Sequence, residues 1–466
     1  MSMWIRRLFI FFARAALVVA LLYGALELAI ELIFSPNPPS ADFSEPANAA
    51  EAHHQDIAYF RHYLDLDRSY TAETRAVANG ILADLEANLD NLSDAGFQLA
   101  IARAVAAADN GHSNIWLAKF SRAHGRIPLR FYWFSDGLYV VRAQPELSDL
   151  VGARLLAVNG VDVETAATLL RVFVGGTREA FRAYRGPGLF ELPVAHHAAG
   201  MIDSESKTRL SFQLPNGDVV TTSISAQALG EDANLYWPNR YLYESLPGDD
   251  EDNWIGIAGQ VEAMPRYLQQ PELPFQWLLL PEGGIYVQYR QNFGAGIEAF
   301  GDKVRTAIKE HKPRFVVIDQ RFNGGGDYTL TEDLMSDLPH LLDDGAPIFI
   351  ITGPATFSAG INSTAFARAA GKERVVLVGE RIGDRERMYG ETNDFVLPNS
   401  GLGMTFNTGL HDLENGCPPW PECYWRNYFN DIAVGKLDPD IVIETRFQDY
   451  LDGTDPVLET ILGKYR

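Results

Sequence analysis

The chain has 466 residues, 47% of them hydrophobic, with 39 Lys+Arg against 61 Asp+Glu, a net charge of −22, and two cysteines. That length suits roughly three domains of about 150 residues and real hydrophobic cores. The acidic balance excludes a nucleic-acid binder, which needs cations to displace counterions, and two cysteines exclude a disulfide-built scaffold or a Cys-rich zinc array.

The first 34 residues read as one apolar helix. Arg6, Arg7 and Arg14 precede a run from Ala15 to Leu26 that continues past Glu27 and Glu31 to Phe34. An amphipathic surface helix competes, but Leu8 to Leu26 supplies 19 residues, close to the ~20 a bilayer needs. The basic flank predicts a signal anchor with that end inside and the rest exported. No clean small-x-small cleavage site follows. Three arginines and two glutamates leave this segment at +1, so −23 sits on the exported side. Such a body favours solubility and basic peptides. A Pro/Ala/Ser-rich linker, residues 35–52, follows.

Residues 53–133 begin as a helical segment, rich in Ala and Leu at three- and four-residue steps, closing in Asp109-Asn110-Gly111-His112-Ser113. Strand patterns appear at Ile127–Trp133 and Gly137–Val141, and again at Arg209–Leu214 and Val219–Ile224. Between these pairs, an Asn159-Gly160 turn leads to a helix starting near Val163. Residues 134–230 form one module, and 231–275 an aromatic-bearing connection whose role as core, lid or substrate contact stays open.

From residue 276 strands and helices alternate. Strands are expected at Gly284–Tyr289, Arg314–Asp319, Pro347–Thr352 and Arg374–Gly379, with helices at Gly296–Glu310, Thr331–Leu342 and Ala359–Ala370. The pattern predicts an α/β core with crossover helices inside a mixed α+β chain. Ligands in such sheets sit at the carboxyl ends of strands.

Two segments occupy such ends. Asp319-Gln320-Arg321-Phe322-Asn323-Gly324-Gly325-Gly326-Asp327 follows the second strand. It lacks the Gly-Lys-Ser/Thr of a phosphate loop and the spacing of a dinucleotide fingerprint; its amides suit an oxyanion hole. Asp319 and Arg321 are read as an ion pair holding this loop. Pro354-Ala355-Thr356-Phe357-Ser358-Ala359-Gly360 follows the third strand. Serine there is most often a helix N-cap, but at a strand-to-helix turn it is also an exposed nucleophile over a helix dipole.

Together the two segments resemble the catalytic core of the C-terminal-processing (tail-specific) and tricorn protease family. The Asn110-Gly111-His112-Ser113 segment is similar to the family's Asp-Gly-His-Thr/Ser, with Asn110 a departure. Residues 137–176 resemble its embedded PDZ-type module. Leu377-Val378-Gly379-Glu380, Leu397-Pro398-Asn399-Ser400-Gly401, Leu437-Asp438-Pro439-Asp440-Ile441, Asp449-Tyr450-Leu451 and Gly453-Thr454-Asp455-Pro456-Val457-Leu458 also match in order. The likeness covers most of the chain after residue 50, weakly between about 190 and 275.

The resemblance implies a serine peptidase with Ser358 as nucleophile, and Gly325 with Ala359 as oxyanion donors. The family's Ser–Lys version needs a lysine about two dozen residues beyond the serine. That region reads Arg381-Ile382-Gly383-Asp384-Arg385, and Lys372 and Lys436 lie elsewhere; arginine is no base at neutral pH. The tricorn-like version implies His112 as base, with Ser113 and Asp431 as possible orienting groups and Glu414 and Glu422 as further candidates. Cys417 and Cys423, with five residues between them, are expected to close a disulfide in an exported protein. No metal or cofactor is expected; a peptide or protein substrate, captured through the PDZ-like module by strand addition, is. A catalytically degenerate peptide- or ligand-binding protein on the same fold is the alternative, and hydrolysis of a non-peptide ester or amide a third reading.

Overall fold

The computed structural model describes residues 3–231, 233–246 and 253–465; residues 232 and 247–252 of the expected connection lie outside them. Strand β9 (Gly284–Tyr289) pairs in parallel with β10 (Phe315–Asp319), β10 with β11 (Ile348–Thr352), β11 with β12 (Val375–Gly379), and β12 with the short β15 (Ile441–Val442). Antiparallel β8 (Phe275–Leu279) closes the other edge. Helices Ile297–His311, Thr329–Leu341 and Ala359–Gly371 make the crossovers.

The sheet order follows the chain order, so right-handed crossovers place all three helices on one face. Val287, Val316, Ile318 and Ile350 pack there against Val304, Leu338 and Ile361. The alternate residues Tyr286, Val317, Phe349 and Ile351 meet Val457, Leu458 and Ile461 of the C-terminal helix. Both faces are therefore covered, which is why these strands are apolar throughout. Each buried Val or Ile contributes roughly 1.5–3 kcal/mol.

The N-terminal part is less modular than its pattern suggests. Helices α2 (Ala49–Leu66), α3 (Ala72–Ala87) and α4 (Asp94–Ala106) share one core with an antiparallel sheet. That sheet is built from β1 (Leu129–Phe134), β2 (Gly137–Ala143), β3 (Arg154–Val158), β5 (Lys207–Gln213) and β6 (Val219–Ser225). Two-residue strands β4 (Val161–Asp162) and β7 (Ile255–Gly256) pair with β3 and β2. A long antiparallel ribbon, β13 (Arg387–Val396) with β14 (Gly403–Asp412), sends Phe395, Met404 and Phe406 into that same core. The C-terminal Phe447 stacks on Tyr139 at 4.1 Å.

Helix α1 runs unbroken over Met3–Phe34, and its stretch Leu17–Phe34 is long and apolar enough to cross a membrane. Phe34 is buried, edge-on to Tyr424 at 5.5 Å. The following linker lies on the folded part: Tyr59 Oη donates to the Pro39 carbonyl at 2.7 Å, and α2 begins at Ala49, inside the expected linker. Cys417 and Cys423 form a disulfide.

Candidate active site

β10 and β11 are in register, with Asp319 opposite Ile351, so the glycine loop and the serine turn leave the sheet side by side. Phe357 N–H donates to the Asn323 carbonyl (2.9 Å), and Thr356 Oγ1 to that of Gln320 (2.8 Å). The expected ion pair under the loop is present and extended. Arg321 binds Asp319 at 3.0 Å and, in bidentate fashion, Asp455 at 3.0 and 2.9 Å, all buried.

Ser358 opens helix Ala359–Gly371 with φ 49° and ψ −125°, a left-handed conformation, and its hydroxyl caps nothing. A non-glycine residue held there stores backbone strain, so the N-cap reading does not account for it. Gly325, at φ 106°, lies against it: a Cβ at Gly325 would sit 2.6 Å from Ser358 Cβ and 3.1 Å from Ala359 N. Only a residue without a side chain permits that approach. The Gly325 amide, however, donates to Asn323 Oδ1 (3.1 Å). Among the described residues, the amides of Gly324 and Ala359 are engaged by no acceptor.

His112 packs its ring on Phe357, the residue before Ser358, with centroids 4.4 Å apart. Its Nδ1 lies 3.8 Å from Oδ2 of Asp384. Both ring nitrogens and that oxygen are buried without a hydrogen-bond partner among the described residues, so no hydrogen bond joins His112 to Ser358. Burial, then the charges of His411 and Arg185, push the imidazole down to about 3. Burial raises the Asp384 carboxyl to about 7.

The loops that carry these groups are strapped together. Gly383 N–H donates to the Thr356 carbonyl (2.8 Å), and Thr177 Oγ1 to that of Gly383 (2.7 Å). Arg385 binds Asp109 at 2.7 Å. A Cβ at Gly111 would overlap the Asp384 carboxylate and come 3.0 Å from Phe357 Cε2, so glycine is what lets the His112 loop lie against both.

The other expected participants are placed elsewhere. Ser113 turns away from the imidazole into a buried cluster, donating to Asp67 Oδ2 (2.7 Å) and accepting from Asn407 Nδ2 (2.9 Å). Asp431 is exposed and accepts from Cys417 N–H (2.9 Å), tethering the disulfide loop. Glu414 is paired with Lys436 at 2.8 Å, and Glu422 is exposed. Lys372 closes helix Ala359–Gly371 at the end opposite Ser358. Asn110 pins the loop to β13, donating to the Tyr389 carbonyl at 3.0 Å and accepting from its amide at 3.2 Å.

Sequence reasoning passed over Asp384, which lies within the segment read only for its missing lysine. It also missed His411, buried within 3.2 Å of Asn362 and Asn427 and 3.4 Å from Glu391. Among the described residues no group of three or more His, Cys, Asp or Glu could hold a metal ion.

No family model and no curated protein matches the chain. Solved structures do. Mature CPAF superposes with a TM-score of 0.52 at 13% identity, over 88% of this chain and 96% of that one. A serine-to-alanine mutant of CPAF gives 0.53 at 13%, over 88% and 96%. The photosystem II D1 C-terminal processing protease gives 0.34 at 12%, over 86% and 98%. The likeness to CPAF is one of fold across nearly the whole of both chains.

Proposed function

We propose that the chain is a serine peptidase of the C-terminal-processing and tricorn-core type, nearer the histidine-using branch than the Ser–Lys branch. The observation that carries this reading is the strained Ser358, wedged between Gly325 and a helix N-terminus, with His112 packed on the adjacent Phe357. The CPAF-like fold supports it.

In this reading His112 takes the Ser358 proton, and the alkoxide adds to a peptide carbonyl. The amides of Ala359 and Gly324 then receive the oxyanion, and water releases the acyl-enzyme. Gly324 replaces Gly325 as donor because the Gly325 amide is already engaged. Asp384 faces Nδ1, which leaves Nε2 for the serine. At 3.8 Å the pair is too long for a hydrogen bond, so it must close by about 1 Å as the imidazolium forms. Arginine fills the dyad-lysine region, and Lys436 is held by Glu386 and Glu414.

The apolar helix and the disulfide favour a membrane-anchored, extracytoplasmic enzyme. The β3–β4 turn at Asn159-Gly160, followed by α6 (Val163–Leu170), fits a PDZ-like module that presents an edge to an extended peptide.

Covalent labelling by a serine-directed phosphonate tests the proposal. Wild type should label at Ser358, and Ser358→Ala and His112→Ala should not. A folded wild type that stays unlabelled would favour the second reading, a binding protein on the same fold. One observation speaks for that reading: the imidazole is buried, without a hydrogen-bond partner among the described residues, and held far below its ordinary pKa.

A further inference from the structure

A cavity of about 750 Å³ opens beside the serine turn, with Phe357, Ala355 and Gly324 on its wall. Its electrostatics invert those of the chain. In a protein of net charge −22, four arginines reach this wall, Arg126, Arg185, Arg240 and Arg290, against one carboxylate among the described residues, Glu191.

Glu191 is fully engaged, by Arg126 at 3.0 Å and Arg130 at 2.9 Å. Arg290 donates to the carbonyls of Gln269 and Gln270 at 2.7 and 2.9 Å. Arg185 has no such partner among the described residues. Among the described residues its guanidinium meets only the Trp237 ring, 5.6 Å to the centroid. Burial pushes its pKa down to about 10, with Tyr184 the one opposing influence. Arg240 lies similarly over Tyr236 and Tyr243, at 5.9 and 5.4 Å.

Arg185 is half-buried in the cavity wall, and a planar fork on an aromatic face is preorganised for a carboxylate. We infer that Arg185, braced on Trp237, is a subsite in the cavity beside Ser358 for an acidic side chain of a bound peptide. The inference rests on the peptidase reading and adds to it a substrate class opposite to the basic one suggested by overall charge. It also links binding to chemistry. Arg185 is one of the charges that hold His112 down, after burial and His411. A substrate carboxylate on Arg185 would offset that charge and let the imidazole take up a proton more readily.

The test uses full-length Ser358→Ala protein in detergent and fluorophore-labelled decapeptides of one sequence, read by anisotropy. One set carries Glu, walked along the peptide, with an amidated end; a second carries Gln with a free C-terminus; a third carries Gln with an amide. The Glu peptide should bind about tenfold tighter than the amidated Gln peptide at one position of the walk. Arg185→Gln should abolish the difference, Arg185→Lys should keep part of it, and Arg185→Glu should transfer it to peptides carrying Lys. Equal affinities for all three sets, a gain confined to the free C-terminus, or a tenfold preference that survives in folded Arg185→Gln would overturn the inference. Because the assay needs no turnover, its failure is separate from a failure of Ser358 labelling.

Discussion

His112 Nδ1 and Asp384 Oδ2 face each other at 3.8 Å in a buried contact, and neither atom has another partner among the described residues. Burial drives each group toward its neutral form: the imidazole falls to about 3 and the carboxyl rises to about 7. Near neutrality, then, an uncharged histidine sits beside an acid on the point of ionising. Only the ionised carboxylate can stabilise an imidazolium. kcat/KM for a peptide substrate should therefore climb as pH rises through about 7. Asp384→Asn should lower it by roughly 10²–10⁴-fold and remove that limb. A merely structural role for Asp384 would lower activity and leave the limb in place.

The same two groups act on stability with opposite signs. The His112 pKa is depressed from 6.5 to about 3 in the folded state. Its contribution is complete above the unfolded value and is lost as pH falls from about 6.5 toward 3. The Asp384 pKa is raised from 3.8 to about 7. Its contribution is complete below the unfolded value and is lost as pH rises toward 7. Thermal melts should show His112→Gln less sensitive to acid than wild type. Asp384→Asn should gain Tm relative to wild type at pH 8 and not at pH 4.

Backbone strain at Ser358 sets the cost of replacing it. At φ 49°, glycine relieves strain that alanine keeps, so Ser358→Gly should be more stable than Ser358→Ala by about 1 kcal/mol, less the entropy glycine adds to the unfolded chain. Gly325→Ala places a Cβ 2.6 Å from Ser358 Cβ at a φ of 106°. It should cost about 1–3 kcal/mol and cut the rate of phosphonate labelling at least a hundredfold. Urea titration and labelling kinetics measure the two effects separately.

The α/β core was legible because its strands are buried on both faces and its helices carry a three-to-four-residue rhythm, so periodicity alone located Phe315–Asp319, Ile348–Thr352 and Ala359–Gly371 within about two residues. The glycine loop and Ser358 were legible as strand-end features. Asp384 was not, because its place beside His112 depends on a loop from elsewhere in the chain resting on it through Gly111, and one carboxylate in an arginine-flanked run looks solvated. Ser113 shows the converse: adjacency to His112 in sequence does not turn its hydroxyl toward the ring, and Asp67, 46 residues earlier, accepts its hydrogen bond. β1 pairs with β2, and the ribbon β13–β14 returns to the helical core from far along the chain, contacts that local periodicity does not carry.

Arg321 is expected to support the glycine loop chiefly through its charge, and its removal should show this. Among the described residues it is the single cation between two buried carboxylates, Asp319 at 3.0 Å and Asp455 at 2.9 Å, while Tyr267 covers its plane at 4.3 Å. Replacing it by Met keeps much of the packing volume but leaves both acids uncompensated, a loss of about 3–5 kcal/mol. The loss should depend on pH in a direction that packing defects do not share. Unpaired buried carboxylates take on raised pKa values, so Arg321→Met should be least impaired at acidic pH and lose further stability as pH rises from about 4 to 7. Urea midpoints at pH 5 and pH 8 decide the matter: the deficit against wild type should be larger at pH 8. A double variant, Arg321→Met with Asp455→Asn, should recover part of the deficit at pH 8, because one of the two stranded charges is gone. Equal deficits at both pH values would mean that Arg321 acts by filling space over Tyr267, and that the glycine loop is held by its hydrogen bonds to the serine turn.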